Sequence, residues 1–232
     1  MRLLLLFITI PLAAAFLTAA LSRWFKKAGD CFALTATLVL GVFSFFIYSS
    51  VSAQKMIVYK IGGWMPPLGI CLVADGFSAL MLVTVNIISF WILMYALSYM
   101  KAYTDTWKFH SLFLLMLAGM NGVILSGDLF NLYVFLELAS ICGYALVSFG
   151  TQAQDLEASF KYAIMGSLAS VFILLGIGLL YSYASTLNMA DIAAVLSSKP
   201  QGMLIKYIYV LFLAGFGLKT ALVPFHAWLP DA

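Results

Sequence analysis

The sequence has little charge of either sign. Its 12 Lys and Arg and its 9 Asp and Glu make up 9% of the 232 residues, whereas 64% are apolar. A soluble domain carries roughly 25% charged and 45–50% apolar residues. Low charge with high hydrophobicity excludes a disordered chain, and a net charge of +3 from scattered residues provides no basic stripe for nucleic acid. An integral membrane protein remains, with room for at most about eight or nine spans of about 20 residues.

Cysteine and histidine are also scarce. The three cysteines form neither a CxxC pair nor a zinc-type spacing, and we interpret Cys31, Cys71 and Cys142 as small core residues. The two histidines, His110 and His226, are too few and too far apart for a metal or haem site. A P-loop is absent from the sequence. We therefore predict no cofactor and no metal.

Long apolar segments fill most of the chain and predict an all-α integral membrane protein with about seven transmembrane helices. The first could be a signal peptide, but the spans that follow it favour an uncleaved helix. A short amphipathic helix is predicted at Met189–Leu196, started by Asn188. The predicted spans are Leu3–Leu21, Cys31–Ser52, Gly76–Met100, Phe109–Gly127, Leu129–Gly150, Ala158–Ala184 and about Tyr207–Trp228.

One segment between the spans does not favour a helix. Residues 53–74 contain IGGWMPPLGI at positions 61–70, with two prolines and three glycines. Both residue types disfavour a helix interior, so we predict an extended, hairpin-like surface loop. Asp75 and Asp128 stand directly before the third and fifth spans, where their side chains can cap the helices.

Three charged residues lie inside predicted spans. Glu137 is eight residues into the fifth span, about 12 Å along a helix, and Lys219 is near the middle of the seventh. An unpaired charge there costs about 2.5–3.5 kcal/mol on insertion scales. We therefore predict that the two residues carry protons or ions, the alternative being a structural ion pair. Lys161 lies a few residues inside the sixth span. Two roles explain this position equally well: a proton relay, or an anchor whose long side chain reaches the lipid headgroups.

The residues around these charges support the prediction. Tyr133, Ser140 and Tyr144 share a helical face with Glu137 and could line a hydrated stripe, although ordinary helix packing explains them as well. Burial disfavours a charged lysine and a nearby carboxylate favours it. A Glu137–Lys219 pair could therefore hold a proton when closed and release it when open.

The seventh span has features of a discontinuous helix. Gly215 and Gly217 precede Lys219, and Pro224 cannot donate to the carbonyl of Thr220. Unwound backbone at membrane depth is tolerated where protein or a water-filled cavity surrounds it, and broken helices beside a charge recur in transporters. A simple proline kink is the alternative. Pro224 and the nearby His226 are included as supporting site residues.

The distribution of basic residues only weakly predicts the orientation of the chain in the membrane. With seven spans, the loops on the two sides carry five basic residues each, so the positive-inside rule does not decide. Lys161, at the start of the sixth span, tips the balance toward an N-terminus outside.

Three motifs resemble one family of membrane subunits. They are LLMLAGMNGVILSGDLFNLYVFLE at Leu114–Glu137, GLKTALVPFHAWLPDA at Gly217–Ala232, and IGGWMPPLGI followed by Asp75. They resemble the antiporter-like subunits: the proton-pumping subunits of respiratory complex I, the large subunits of Mrp multisubunit Na⁺/H⁺ antiporters, and their counterparts in membrane-bound hydrogenases. STLNMADI at Ser185–Ile192 is most similar to the D-type Mrp subunit and its hydrogenase counterpart.

The resemblance implies roles for the three charged residues. Glu137 matches the family's essential glutamate of the fifth helix, Lys219 the lysine of its discontinuous seventh helix, and Lys161 a sixth-helix lysine of several branches. It also implies proton translocation, in some branches exchanged for sodium, an outside N-terminus in the cell membrane, and partner membrane subunits. The chain itself is expected to be an ion-translocating subunit rather than an enzyme, although some parent complexes are oxidoreductases.

The chain departs from the family pattern in length. Family subunits usually have about fourteen spans in two inverted repeats, so this sequence corresponds to an N-terminal half. We divide it into residues 1–108, with the first three spans, and residues 109–232, an incomplete first repeat. The expectations are a split subunit whose second half another chain supplies, a truncated sequence, or a non-transporting assembly subunit. An intramembrane enzyme would need a nucleophile–base or metal cluster that the spans lack.

Overall fold

The computed structural model describes residues 3–22, 28–103, 105–198 and 202–232. Within these ranges the chain forms eight α-helices and one two-stranded sheet. The helices are α1 Leu3–Leu21, α2 Ala28–Gln54, α3 Gly76–Tyr99, α4 Thr106–Leu125, α5 Leu129–Val147, α6 Ala153–Ala184, α7 Met189–Ser198 and α8 Met203–Lys219. The strands are β1 Ile57–Lys60 and β2 Cys71–Ala74.

The predicted spans correspond to α1–α6 and α8. Helices α1–α6 are long and apolar enough to cross a membrane. Helix α8 has 17 residues and is about 26 Å long. The seventh span was expected to reach about Trp228, but the helix ends at Lys219 and residues 220–232 form turns. The prediction of an interruption beside Lys219 is confirmed, and the prediction of further helix up to Trp228 is wrong.

A proline inside α1 shapes the packing of the first four helices. Pro11 lies in the helix interior and has no N–H, so the carbonyl of Phe7, four residues earlier, lacks its usual donor. Asn121 Nδ2 of α4 donates to this carbonyl at 3.1 Å. The same amide group exchanges hydrogen bonds of 3.0 and 3.2 Å with Asn86 of α3. One fully buried amide pair thus joins α1, α3 and α4.

The predicted hairpin is confirmed, but it is not entirely a surface loop. Strands β1 and β2 pair antiparallel, with Ile57 opposite Ala74 and Lys60 opposite Cys71. Leu72 and Ala74 of β2 are fully buried and belong to the same core cluster as residues of α1–α4. Only the tip matches the expectation, because its large apolar side chains, Trp64, Met65 and Leu68, are exposed. The second strand is therefore part of the core.

The three polar residues predicted to start helices do so. Asp75 accepts from the Ser78 N–H at 2.8 Å at the start of α3. Asp128 accepts from the N–H groups of residues 130 and 131 at 3.0 and 2.9 Å at the start of α5. Asn188 accepts from those of residues 190 and 191 at 3.1 and 3.3 Å at the start of α7. Each cap satisfies N–H groups that the helix itself leaves unpaired.

The cysteine prediction is correct at two of three positions. Cys71 and Cys142 are buried, whereas Cys31 is exposed on α2. Cys31 lies in the first turns of that helix, where the apolar run of the sequence does not determine which face is covered. Burial of the thiol raises the pKa of Cys71 in the hairpin.

Helix α8 packs along α6 and places its last turn near α5. Gly215 makes this possible, because a Cβ there would lie 2.6 Å from Ile173 Cγ1 of α6. Helix α4 packs against both α1 and α5. The boundary at residues 108/109 stays a prediction.

Candidate functional site

The two charged residues predicted to work together are in contact. Lys219 Nζ, at the end of α8, lies 3.1 Å from Glu137 Oε1 in the middle of α5. The Lys219 side chain is 10% exposed and the Glu137 side chain 24%. Opposite charges at this distance stabilise each other more in a low-dielectric environment than in water. The chain therefore contains a partly buried ion pair between α5 and α8. The two residues that form it are 82 positions apart in sequence.

Two serines complete the polar cluster. Lys219 Nζ donates to Ser140 Oγ at 2.7 Å, one turn after Glu137 on α5. Ser170 of α6 donates to Glu137 Oε1 at 2.5 Å. Ser140 was among the predicted site residues, and Ser170 was missed. A lone serine in an apolar helix usually bonds to its own helix, so no local signal indicated that it would reach a residue 33 positions away.

The end of α8 follows from the backbone around Lys219. The N–H of Leu222 bonds to the Gly217 carbonyl at 2.8 Å instead of extending the helix, and Ala221 has a positive φ of 53°. Pro224 has no N–H to offer the carbonyl of Thr220. The indole N–H of Trp228 donates to the Leu218 carbonyl at 3.3 Å, which satisfies one of the last carbonyls of the helix.

Aromatic side chains cover one side of the cluster. The Tyr144 hydroxyl packs against Gly166 of α6, where a Cβ would overlap it. The hydroxyl is buried and has no hydrogen-bond partner among the residues that the structure describes. The Tyr144 and Tyr162 rings lie edge to face at 4.6 Å, and Tyr162 stacks on Trp228 at 4.4 Å. Tyr144 is therefore placed beside the cluster, as its helical spacing from Glu137 predicted.

Tyr133 lies one turn before Glu137 on α5 and interacts electrostatically with it, whereas His226 lies in the turns that follow α8. Tyr133 stacks on Phe130 with ring centroids 6.2 Å apart. His226 is exposed, and its backbone carbonyl accepts from the Leu229 N–H at 3.0 Å. Within the described part of the chain, neither side chain has a hydrogen bond to Glu137 or Lys219. Their part in a site stays a prediction.

Lys161 has its own partners. Its Nζ lies 2.7 Å from Glu157 Oε1, one turn earlier on α6, and 2.7 Å from Asp231 Oδ2 in the segment after α8. The Lys161 side chain is 45% exposed. Exposed pairs of this kind contribute little to stability, because water screens the two charges. The pair with Asp231 does, however, join α6 to the segment that follows Lys219.

A mostly apolar cavity of about 460 Å³ opens beside Lys219. Three methionines, Met81, Met116 and Met120, contribute to its wall, and Ser140 and Lys219 stand at its edge. Among the described residues, no group of His, Cys, Asp or Glu could hold a metal ion. One carboxylate, one ammonium and two hydroxyls in contact can bind, hold and exchange a proton between them.

Two family models match most of the sequence. One is described as "NADH:quinone oxidoreductase/Mrp antiporter, TM" and matches residues 126–232. The other is described as "NADH-Ubiquinone oxidoreductase (complex I), chain 5 N-terminus" and matches residues 64–110. The first of these regions contains Glu137, Lys219 and both serines of the cluster.

Individual relatives agree with this assignment. The chain is 38% identical over 231 residues to the N-type subunit of the NADH-quinone oxidoreductase of Desulforudis audaxviator, with 98% of this chain and 46% of the relative covered. It is 34% identical over 229 residues to the D-type subunit of the Na⁺/H⁺ antiporter of Bacillus subtilis, covering 97% and 46%. The chain thus spans about half the length of the curated relatives it matches.

A solved structure gives the same result for the fold. A chain of the archaeal membrane-bound sulfane sulfur reductase, a respiratory membrane complex, superposes with a TM-score of 0.92 at 33% identity. The superposition covers 100% of this chain and 47% of that one. The protein is thus a membrane-embedded member of the antiporter-like subunit family shared by Mrp antiporters and complex I-type respiratory complexes.

Proposed function

We propose that the chain translocates protons across the cell membrane as part of a multisubunit complex. The complex would be a Mrp-type antiporter, in which protons exchange for sodium, or a redox-driven relative of a membrane-bound hydrogenase or complex I. The observation that carries the proposal is the Glu137–Lys219 pair, held at 3.1 Å and partly buried among membrane-spanning helices. Ionisable residues at such depth are costly to bury and mark ion or proton pathways.

The pair can work as a proton switch. With Glu137 ionised and in contact, the ammonium of Lys219 is stabilised and keeps its proton. When Glu137 is neutralised or moves away, the low-dielectric surroundings favour the uncharged amine, and the ammonium passes its proton to the next proton acceptor of the pathway. Ser140, which accepts from Lys219 Nζ at 2.7 Å, provides a polar contact for the ammonium during this change.

The orientation and partners belong to the same proposal. An N-terminus outside the cell would put the hairpin outside and the Lys161–Asp231 pair toward the cytoplasm, because α1–α6 alternate in direction. Partner membrane subunits are implied by the complexes to which the relatives belong.

Substitution of the pair tests the proposal. We expect Glu137→Ala and Lys219→Ala each to abolish proton-coupled transport by the complex in proteoliposomes, while the complex still assembles. Each variant leaves its partner uncompensated and removes the switch. Lys206→Ala is the matched control, because Lys206 is an exposed lysine on the same helix, and it should transport normally.

Wild-type transport by either Glu137→Ala or Lys219→Ala would overturn the proposal. A complex that assembles with this chain and transports equally well with both residues replaced would instead support a non-transporting assembly role.

We also propose Lys161 as a lateral relay, with an anchoring role as the alternative. As a relay it contributes a titrating amine, so Lys161→Ala should lower transport or leave it intact without loss of insertion. Asp231→Asn should then lower transport no more than Lys161→Ala, because the amine remains. As an anchor it holds the segment after α8 through Asp231, at 2.7 Å. Loss of insertion in Lys161→Ala, reproduced by Asp231→Asn, would show the anchor.

A further inference from the structure

The Ser170 hydroxyl stands between two acceptors. Its Oγ lies 2.5 Å from Glu137 Oε1 and 2.8 Å from the carbonyl oxygen of Gly166, one turn earlier on α6. A serine hydroxyl carries one hydrogen, so it can donate fully to only one of these oxygens at a time. The other acceptor is close enough to receive the hydrogen after a rotation about the Cβ–Oγ bond, without any movement of the backbone.

The second serine of the cluster has a different arrangement. Ser140 donates to the Leu136 carbonyl at 2.8 Å and accepts from Lys219 Nζ at 2.7 Å. Its single hydrogen therefore has a fixed acceptor while the lysine is charged. Among the described residues, Ser170 and Lys219 are the donors that hydrogen-bond to Glu137 Oε1. Once Lys219 moves away from Glu137, Ser170 is the donor that remains among the described residues.

The protonation state of Glu137 decides which acceptor Ser170 uses. An ionised carboxylate only accepts hydrogen bonds, whereas a protonated carboxyl group also donates. A hydrogen-bond donor to the ionised carboxylate stabilises the ionised form. Such charge-assisted hydrogen bonds are stronger than hydrogen bonds between neutral groups. When Glu137 takes up a proton, its O–H can donate to Ser170 Oγ, and the serine hydrogen can then turn to the Gly166 carbonyl.

The surroundings restrict the hydroxyl to these two acceptors. Ser170 is buried, and the Tyr144 hydroxyl fills the space above Gly166 that a side chain would otherwise occupy. Bulk water therefore has little access to compete for the serine hydrogen.

We propose that Ser170 is a positioning residue of proton transfer, which stabilises ionised Glu137 and switches its hydrogen bond to the Gly166 carbonyl when Glu137 is protonated. The proposal rests on the proposed function, because it assigns Ser170 a role through Glu137. Without the hydroxyl, the ionised carboxylate of Glu137 loses one of its two hydrogen-bond donors, so the acid-side loss of transport should begin at higher pH.

The test compares serine variants in proteoliposomes that contain the complete membrane complex. We expect Ser170→Ala to move the acid-side midpoint of transport upward by about one pH unit, which corresponds to the loss of one hydrogen bond to a charged group. Ser170→Thr keeps a hydroxyl and should restore the wild-type midpoint. Ser182→Ala is the control, because Ser182 is exposed on the same helix and bonds only to its own turn.

An infrared difference spectrum gives a readout that a purely structural serine would not change. The C=O stretching band of protonated Glu137, identified by its absence in Glu137→Gln, should shift in Ser170→Ala and not in Ser182→Ala. If Ser170→Ala does not assemble, Ser170→Cys carries the same expectation, because a thiol has similar size and is a weak donor.

Two outcomes separate the proposals. If Ser170→Ala has the wild-type midpoint and band while Glu137→Ala is inactive, the role of Ser170 is overturned and the proposed function stands. If Glu137→Ala transports normally, the proposed function itself fails.

Discussion

Two polar clusters between the described helices differ in charge and access. The first, Asn86 and Asn121 with the Phe7 carbonyl, is neutral and 0% exposed at both asparagines. The second, around Glu137 and Lys219, is charged and partly exposed beside a cavity. Neutral amides that satisfy one another hold helices together, whereas charges that remain accessible can exchange protons. Burial of a polar group is therefore not itself a sign of function.

Each cluster also lies near a proline, with opposite results. Helix α1 continues through Pro11 because Asn121 supplies the donor that the proline lacks. Helix α8 ends at Lys219, five residues before Pro224, and turns replace its next helical bonds. A proline inside a membrane helix is thus tolerated where a neighbouring helix provides the donor that the proline lacks.

The largest effect on stability should come from the neutral cluster. Asn121→Leu removes the donor to the Phe7 carbonyl and leaves the Asn86 amide without its partner. We expect a loss of about 2 kcal/mol in the free energy of unfolding, measured by thermal denaturation of the purified complex. Transport per assembled complex should not change, which would separate this cluster from the charged one.

Two companion variants sharpen that prediction. Thr84→Val is the matched control, because Thr84 is exposed on α3 and bonds only to its own turn, and it should be nearly neutral. Pro11→Ala restores an N–H for the Phe7 carbonyl. Asn121→Leu should therefore lower the free energy of unfolding less in a Pro11→Ala background than in the wild-type chain. Equal costs in both backgrounds would show that the proline does not create the need for Asn121.

A smaller effect should come from a helix cap outside both clusters. Asp75→Ala removes the acceptor of the Ser78 N–H and should cost about 1 kcal/mol of stability. Asp75→Asn is the control. Its side-chain oxygen can still accept the bond from the Ser78 N–H, so this variant should retain most of the stability that Asp75→Ala loses. A full loss in Asp75→Asn, measured by thermal denaturation, would point to the charge rather than the cap.

The same cap predicts a dependence on pH. The Ser78 backbone N–H holds the pKa of Asp75 below its usual value of 3.8. Because the folded pKa is depressed, the stabilisation is complete above pH 3.8 and is lost as the pH falls through the lower folded value. The stability advantage of Asp75 over Asp75→Asn should therefore shrink in acid, as denaturation at several pH values would measure.

Much of the fold could be predicted from the sequence because its signals are local. Apolar runs located every spanning helix, and single polar residues located the starts of α3, α5 and α7. Glu137 and Lys219 were evident because charge is so scarce inside the spans. Each of these inferences uses residues that lie close together along the chain.

The remaining features depend on contacts across the fold. Ser170 looks like any serine in an apolar helix until α6 lies against α5. The interruption beside Lys219 was predicted, but the turns that replace the expected helix up to Trp228 involve a bond from Leu222 to Gly217 and one from Trp228, which reaches back ten positions. The partner of Lys161 is Asp231, 70 positions away. No local pattern encodes such distances.

The attachment of Trp228 has a mechanical consequence. Its indole holds the Leu218 carbonyl while its ring stacks on Tyr162 of α6, so the backbone on both sides of Lys219 is fixed to the same helix. The backbone at the end of α8 is thus attached to α6, whereas the long lysine side chain has several rotatable bonds. In the proposed proton switch, rotation about the side-chain bonds of Lys219 would be enough to separate it from Glu137.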